Sequence, residues 1–239
     1  MSDRLKTVAF AAALCLVCSV LLTAASSGLK PFHQTNILLD KQKNILKSVG
    51  LIQDGETYSP AEIVSRYDQN IKALWVNPSG HIVPEEQRGE SDLPVYLYLQ
   101  GEAISAYILP IHTRGLWGRI NGYLAIRSDG VTISGFTVYS HSETPGLGGE
   151  IEKRWFQKNF VGKKIVDRAG SFVSIAVAKG AVEERIPAEK QMNYVDGISG
   201  ATLTGKFLSA GLKEILIQYE PVSINFRKNM ITKTLKVLE

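Results

Sequence analysis

From Val8 to Ala25 (VAFAAALCLVCSVLLTAA) the chain carries no charged residue, proline or glycine. That run approaches the ~20 apolar residues that cross a bilayer as a helix, and Ser26, Ser27 and Gly28 extend it. Arg4 and Lys6 precede it, so the positive-inside rule predicts a cytoplasmic N-terminus and the bulk of the chain outside. A cleaved signal peptide is the rival reading, helped by the small residues Ala24 to Ser27. The apolar run is longer than a usual secretory segment and favours an uncleaved anchor. Val17 before Cys18 argues against a lipoprotein.

Beyond the anchor the pattern turns amphipathic. Leu38, Ile45 and Ile52 recur at heptad spacing, with Leu39 and Leu46 one residue on. They predict a helix over 36–49, closed by Gly50 and packed on its own domain. Ser59-Pro60-Ala61-Glu62 reads as a capping box with proline at the first helical position. It opens a helix expected to reach about Leu74, with Ile63, Tyr67, Ile71 and Leu74 along one face and Asn77 to Gly80 ending it. His81 to Asp92 is polar and reads as a surface loop.

From Leu93 the period becomes strand-like. Runs at 95–99, 103–109, 122–127 and 131–140 are β-rich, and Asp129-Gly130 marks a hairpin between the last two. A helix is predicted over 150–160 with Trp155, Phe156 and Phe160 as its bulky positions. A largely buried strand follows over 172–178. A last helix runs from about Thr204 to Tyr219, with Phe207, Leu212, Ile215, Leu216 and Tyr219 on its buried side. Arg227 to Lys236 alternates basic and apolar residues, which suits an edge strand or an anionic membrane surface. Helices, an antiparallel meander, then helix, strand and helix predict an α+β fold. The domain plan is an anchor at 1–30, a juxtamembrane helical region at 31–92 and one domain at 93–239.

Composition adds exclusions. The chain is 44% hydrophobic with a formal net charge of +4, and its basic residues are dispersed, which argues against nucleic-acid binding. Both cysteines, Cys15 and Cys18, lie in the apolar run. The rest therefore offers no thiol nucleophile, iron–sulfur cluster or cysteine-ligated zinc. His33, His81 and His112 are scattered without ligand spacing, and no residue set suggests a bound metal.

Two glycine-rich stretches approach familiar phosphate motifs and fail. Gly200 to Lys206 matches seven positions of a P-loop, but Phe207 stands where Mg²⁺ coordination needs a hydroxyl, and no buried strand precedes it. Gly146-Leu-Gly-Gly-Glu-Ile151 lacks the last glycine of a dinucleotide fingerprint and sits in no β-α-β unit.

Both have a better reading. Asp196-Gly-Ile-Ser199-Gly200-Ala201-Thr202-Leu-Thr204 sets small residues and two threonines just ahead of a helix, where free amides attract a phosphate. It resembles the attachment motif of covalent flavoproteins, an Asp followed by Ser-Gly-Ala-Thr. Upstream, Glu143-Thr144-Pro-Gly-Leu147-Gly148 resembles a second signature of that family, and Gly115-Leu116-Trp117-Gly118 a third. The match spans roughly Leu93 to Tyr219. Within the family the resemblance is strongest to the C subunit of the Na⁺-translocating NADH:quinone reductases. The G subunit of the ion-translocating ferredoxin:NAD⁺ oxidoreductases is the runner-up. Gly205-Lys206 departs from the small polar residue expected after Thr204.

The resemblance implies FMN joined to Thr202 through a phosphoester. Ser199, Gly200, Ala201 and Thr204 would lie around the phosphate. Glu143, Thr144, Leu147 and Gly148 would contact ring or phosphate, and Leu116 and Trp117 would form an apolar wall. A threonine hydroxyl needs a base or metal to become a nucleophile, and no His–Asp pair is readable around Thr202. The family's answer is an external Mg²⁺-dependent flavin transferase that uses FAD and releases AMP, with Asp196 in its recognition sequence. The implied role is an electron carrier that catalyses nothing alone. Among other membrane subunits it would relay electrons from NADH toward ubiquinone, coupled to sodium export. The implied place is the bacterial inner membrane, with a single pass and a periplasmic FMN domain.

Plainer readings stand beside these. Trp117 could be a core aromatic, Thr204 a helix cap and Asp196 a turn former. The whole could be a tethered extracytoplasmic binding module without cofactor.

Overall fold

A six-stranded antiparallel sheet organises the protein, in the order β2-β1-β3-β4-β5-β6. Its strands are β1 (Ile71–Val76), β2 (Ile82–Val83), β3 (Leu93–Gln100), β4 (Ala103–Arg114), β5 (Arg119–Arg127) and β6 (Ile133–Ser140). The computed structural model describes residues 2–53 and 55–231. The chain divides into two compact units, Met1–Asp40 and Lys41–Glu239. Around the sheet lie α1 (Asp3–Ser48), α2 (Pro60–Asn70), α3 (Arg154–Gln157), α4 (Val182–Arg185), α5 (Thr202–Arg227) and a short parallel pair, β7 (Ala176–Val177) with β8 (Tyr194–Val195). The α+β expectation holds.

In the first unit, α1 contains a window long and apolar enough to cross a membrane, none of it buried. The separate helix expected from Asn36 does not exist, because α1 is continuous from Asp3 to Ser48 with Pro31 inside it. Proline costs one ladder bond but does not end this helix. Gly50 does. At φ +76° its amide bonds Lys47 O (3.1 Å) while the Leu51 amide bonds Leu46 O (3.0 Å), the pair of bonds of a Schellman stop. In the second unit the last turns of α1 bury Ile45 and Leu46. They approach β6 so closely that a Cβ on Gly135 would lie 2.0 Å from Ser48 O.

The capping box at Ser59 forms as predicted, with Glu62 N–H donating to Ser59 Oγ and Ser59 N–H to Glu62 Oε2. The helix stops at Asn70 rather than Leu74. Ile71 to Val76 instead pair with β3, from Ile71↔Tyr98 to Val76↔Leu93, so strand pairing wins over helical periodicity. Asn77 to Gly80 therefore joins β1 to β2, and the loop expected over 81–92 holds β2 and a single 3₁₀ turn at Glu85–Gln87.

The meander is as expected, but β4 and β5 run further and meet at a tip, Gly115 to Gly118, closed by Gly115 N–H to Gly118 O (2.6 Å). One sheet face carries Leu109, Leu124 and Phe136, which pack with Phe156, Phe160 and the Leu208, Leu212 and Leu216 side of α5. Phe136 stacks on Phe160 with centroids 4.1 Å apart, and Tyr107 on Phe226 at 4.2 Å. The helix expected over 150–160 is broken into 3₁₀ pieces and the one-turn α3, because Lys153 takes an extended ψ of 142°. Of the strand expected over 172–178 only Ala176–Val177 pairs. Ser174, at φ +77°, breaks the extended run.

Helix α5 starts two residues before the expected Thr204 and runs on to Arg227 through Pro221. Arg227 is thus helical rather than strand, and residues 232–236 of the basic segment lie outside the described residues. Helix α5 lies tight on β4 at Gly211, where a Cβ would sit 1.6 Å from Thr113 Oγ1. Gly211→Ala gains about 1 kcal/mol of helix propensity but must push α5 off β4, which costs more. A net loss of about 1–2 kcal/mol is expected in denaturant unfolding.

Candidate functional site

Three segments that are distant in sequence meet beside the start of α5. They are the Gly115–Gly118 tip, the turn after β6 and the loop between β8 and α5. Between them lies a cleft of about 340 Å³ lined by residues of 116–117, 143–148 and 200–204. Ten of the eleven contacts expected from sequence line it. Ser199 does not, and Leu203 is added.

Glu143 joins the three segments. It is only 4% exposed. Its Oε1 accepts the Trp117 amide at 3.0 Å and its Oε2 accepts the Thr204 hydroxyl at 2.5 Å. The carboxylate fits there because its neighbours lack side chains. A Cβ on Gly115 would lie 2.4 Å from Oε1, and one on Gly148 would lie 2.5 Å from Thr204 Oγ1 and 2.8 Å from Oε2. Both glycines fall in the stretches that carry the family resemblance, but their service to a buried carboxylate was not legible. His141 supports the turn from behind. Its Nδ1 accepts the Glu143 amide (3.1 Å), so Nε2 carries the proton and donates to Glu152 (3.2 Å). Lys153 and then His141, beside Glu152, hold that carboxyl below the usual carboxylate range.

Thr204 is not the helix cap. The N-cap is Ala201, which offers no side-chain bond, and Thr204 is the third residue of α5, 2% exposed with its hydroxyl engaged by Glu143. The first ladder bond of the helix is Gly205 N–H to Ala201 O. The amides of Thr202, Leu203 and Thr204 therefore precede the ladder and leave a partial positive charge at the cleft; the first turn itself holds no acidic residue, and the nearby carboxylate is that of Glu143, on the Thr204 hydroxyl. Thr202 is the first residue of α5 and exposed, and among the described residues its hydroxyl has no hydrogen bond.

The cleft rim is apolar. Trp117 is 70% exposed, which overturns the core-aromatic reading, and Leu147 and Leu203 are about half exposed. A flat aromatic ligand finds apolar walls here and a phosphate finds the helix start. Asp196 lies outside the lining, with Oδ1 accepting the Val182 amide at 2.7 Å. Gly205 and Lys206, the last P-loop matches, fall inside α5, where Gly205 packs on Val177. A larger groove of about 680 Å³ between the β4–β5 ends and α5 holds none of the expected contacts.

The family model for an FMN-binding domain matches residues 115–217, from the tip into α5. The chain is 32% identical over 229 residues to the C subunit of the Na⁺-translocating NADH-quinone reductase of Vibrio campbellii, covering 84% of this chain and 85% of that one. Against the corresponding C subunit of Yersinia pestis it is 35% identical over 231 residues, covering 83% of each. The chain belongs to this C-subunit family. The crystal structure of the Parabacteroides distasonis member superposes with a TM-score of 0.69 at 34% identity, covering 82% of this chain and 96% of that one. Membership in the family brings an FMN-binding domain. The cleft fits that cofactor: it pairs an uncapped helix start for a phosphate with exposed apolar walls for a ring.

Proposed function

We propose that the chain is a membrane-anchored electron carrier of a Na⁺-translocating NADH:quinone reductase, with FMN held covalently on Thr202 through a phosphoester. The observation that carries this reading is the exposed Thr202 hydroxyl, unengaged among the described residues, at the first position of a helix with no side-chain cap, inside the FMN-domain cleft. FMN supplies reversible one- and two-electron redox chemistry. The chain's residues bind and orient. The open amides of Thr202 to Thr204 would balance the phosphate charge, and the exposed Trp117, Leu147 and Leu203 would offer the ring apolar walls. Glu143 keeps tip, turn and helix in register.

The apolar part of α1 serves as a single-pass anchor in the bacterial inner membrane, with Arg4 and Lys6 on the cytoplasmic side and the FMN domain in the periplasm. Other membrane subunits supply and remove electrons on the way from NADH to ubiquinone, and sodium export belongs to the assembled complex. A flavin transferase with FAD as donor installs the cofactor. Co-production with such a transferase adds the mass of one FMN to the intact chain, and yellow colour stays with the protein after denaturation. An unmodified mass under those conditions overturns the covalent reading. A chain lacking residues 2–28 moves from the membrane pellet to the soluble fraction.

A further inference from the structure

Resting on the covalent attachment at Thr202, we infer that Asp196 is a positioning residue of the folded acceptor loop. Its carboxylate holds the loop for flavin transfer by accepting the Val182 amide, and the transferase does not read its charge.

The bond is short and specific, Val182 N–H to Asp196 Oδ1 at 2.7 Å, although Asp196 is exposed overall. It extends a seam between two segments. Ala178 N–H donates to Val195 O (2.9 Å), Gly197 N–H to Gly180 O (2.8 Å), and β7 pairs with β8 just before. The approach at Gly197 is so close that a Cβ would lie 2.2 Å from Ala178 O. The same segment is tied to the start of α5. Val177 N–H donates to Ser209 Oγ, which donates in turn to Gly205 O, and Val177 packs on Gly205. Asp196 thus closes a circuit that runs by hydrogen bond to Val182, along the chain back to Val177, and by hydrogen bonds through Ser209 to Gly205. Thr202 lies on the stretch that this circuit encloses, and Glu143 fixes the far end of that stretch through Thr204. A nucleophile whose backbone is held this way has fewer positions to search, which is the entropic part of group transfer.

In the transfer, Thr202 Oγ bonds to the FMN phosphorus of FAD. The bond from that phosphorus to the bridging oxygen breaks, AMP leaves with that oxygen, and the hydroxyl proton goes to a base on the transferase. Asp196 takes no part in the proton step, since it stands outside the cleft and is engaged by Val182. An amide oxygen accepts the same bond as a carboxylate oxygen, so charge and clamp can be separated.

The experiment measures FMN incorporation by intact mass, using detergent-solubilised full-length chain, purified transferase, Mg²⁺ and FAD. Asp196→Asn is expected within about threefold of the wild-type rate, and Asp196→Ala about tenfold slower, the worth of one charge-assisted hydrogen bond. Val182→Pro removes the donor, and its ring carbon, standing where the N–H points, turns the carboxylate away with its charge kept. Val182 opens α4 and Ala181 already has ψ 134°, so proline fits the backbone there. It is expected to slow transfer like Asp196→Ala. Amide exchange at Gly205, whose N–H bonds Ala201 O, is expected to speed up in Asp196→Ala and Val182→Pro but not in Asp196→Asn. If Asp196→Asn is as slow as Asp196→Ala, the charge is read and the clamp is wrong. All three variants at the wild-type rate overturn it equally. Should Val182→Pro fail to fold by its melting curve, the ratio of Asp196→Asn to Asp196→Ala decides alone. A wild-type chain that takes up no FMN removes the attachment itself, and is recognised from the wild type before any variant is made.

Discussion

Thr202→Ala is expected to abolish covalently held flavin, while Thr202→Ser retains it. The alanine variant removes one hydroxyl that bonds nothing among the described residues, at an exposed first helical position. Alanine is at least as good a helix former, so stability should stay within about 0.5 kcal/mol of wild type. The cleft walls, the open amides and the Glu143 bonds are untouched. Flavin then binds reversibly and is lost on denaturation. Serine keeps an oxygen at the same place. Intact mass and in-gel flavin fluorescence after co-production with the transferase read both results. A residual adduct on the alanine variant would move the attachment to a neighbouring hydroxyl. Ser199 is exposed, whereas Thr204 is buried and engaged, so peptide mapping should look to Ser199 first.

The second large effect is expected at Glu143. In Glu143→Ala the Thr204 hydroxyl and the Trp117 amide lose their acceptor, and a void opens between Gly115 and Gly148. Each orphaned group costs about 1–3 kcal/mol, less where water reaches it as it can at the exposed tip. A loss of roughly 2–4 kcal/mol in denaturant unfolding is expected, together with weak flavin retention in the Thr202→Ala background. Glu143→Gln separates geometry from charge. Its amide oxygen takes the Trp117 N–H and its amide nitrogen donates to Thr204 Oγ1, which only has to reverse its role. That variant should fold and load flavin normally. With one negative charge fewer beside the cofactor, its midpoint potential should rise, because an added electron is repelled less. Redox titration of the loaded protein tests the sign. An unchanged potential would mean the carboxylate acts through geometry alone.

Much of this was legible in the order of residues. The capping box at Ser59, the Gly50 stop, the meander with its Asp129-Gly130 turn and the Leu212, Leu216 and Tyr219 stripe of α5 are local patterns, and each formed, although Phe207, expected on that buried side, is exposed. The failures share a cause. Ile71 to Leu74 fit a helix face until β3 offered backbone partners. Asn36 to Val49 read as a separate helix because the pattern turns amphipathic there, yet the ladder runs on from the apolar segment through Pro31. The parallel pairing of β7 with β8 has no turn signal at all, since the whole stretch 178–193, with the one-turn α4 inside it, separates the two strands.

By itself the sequence determined the kind of site, with a small-residue loop ahead of a helix, a glycine turn carrying an acid and a hydroxyl, and an apolar segment long enough to cross a membrane. Those features depend on residue type and on neighbours within a turn or two, where propensity and periodicity act. Only the tertiary structure decided which threonine is free and which is engaged, that Trp117 faces solvent, and what the Asp196 carboxylate holds. Glu143 reaches Trp117 across 26 residues and Thr204 across 61, and Asp196 reaches Val182 across 14. Bonds over such separations arise from packing, and no local pattern encodes them.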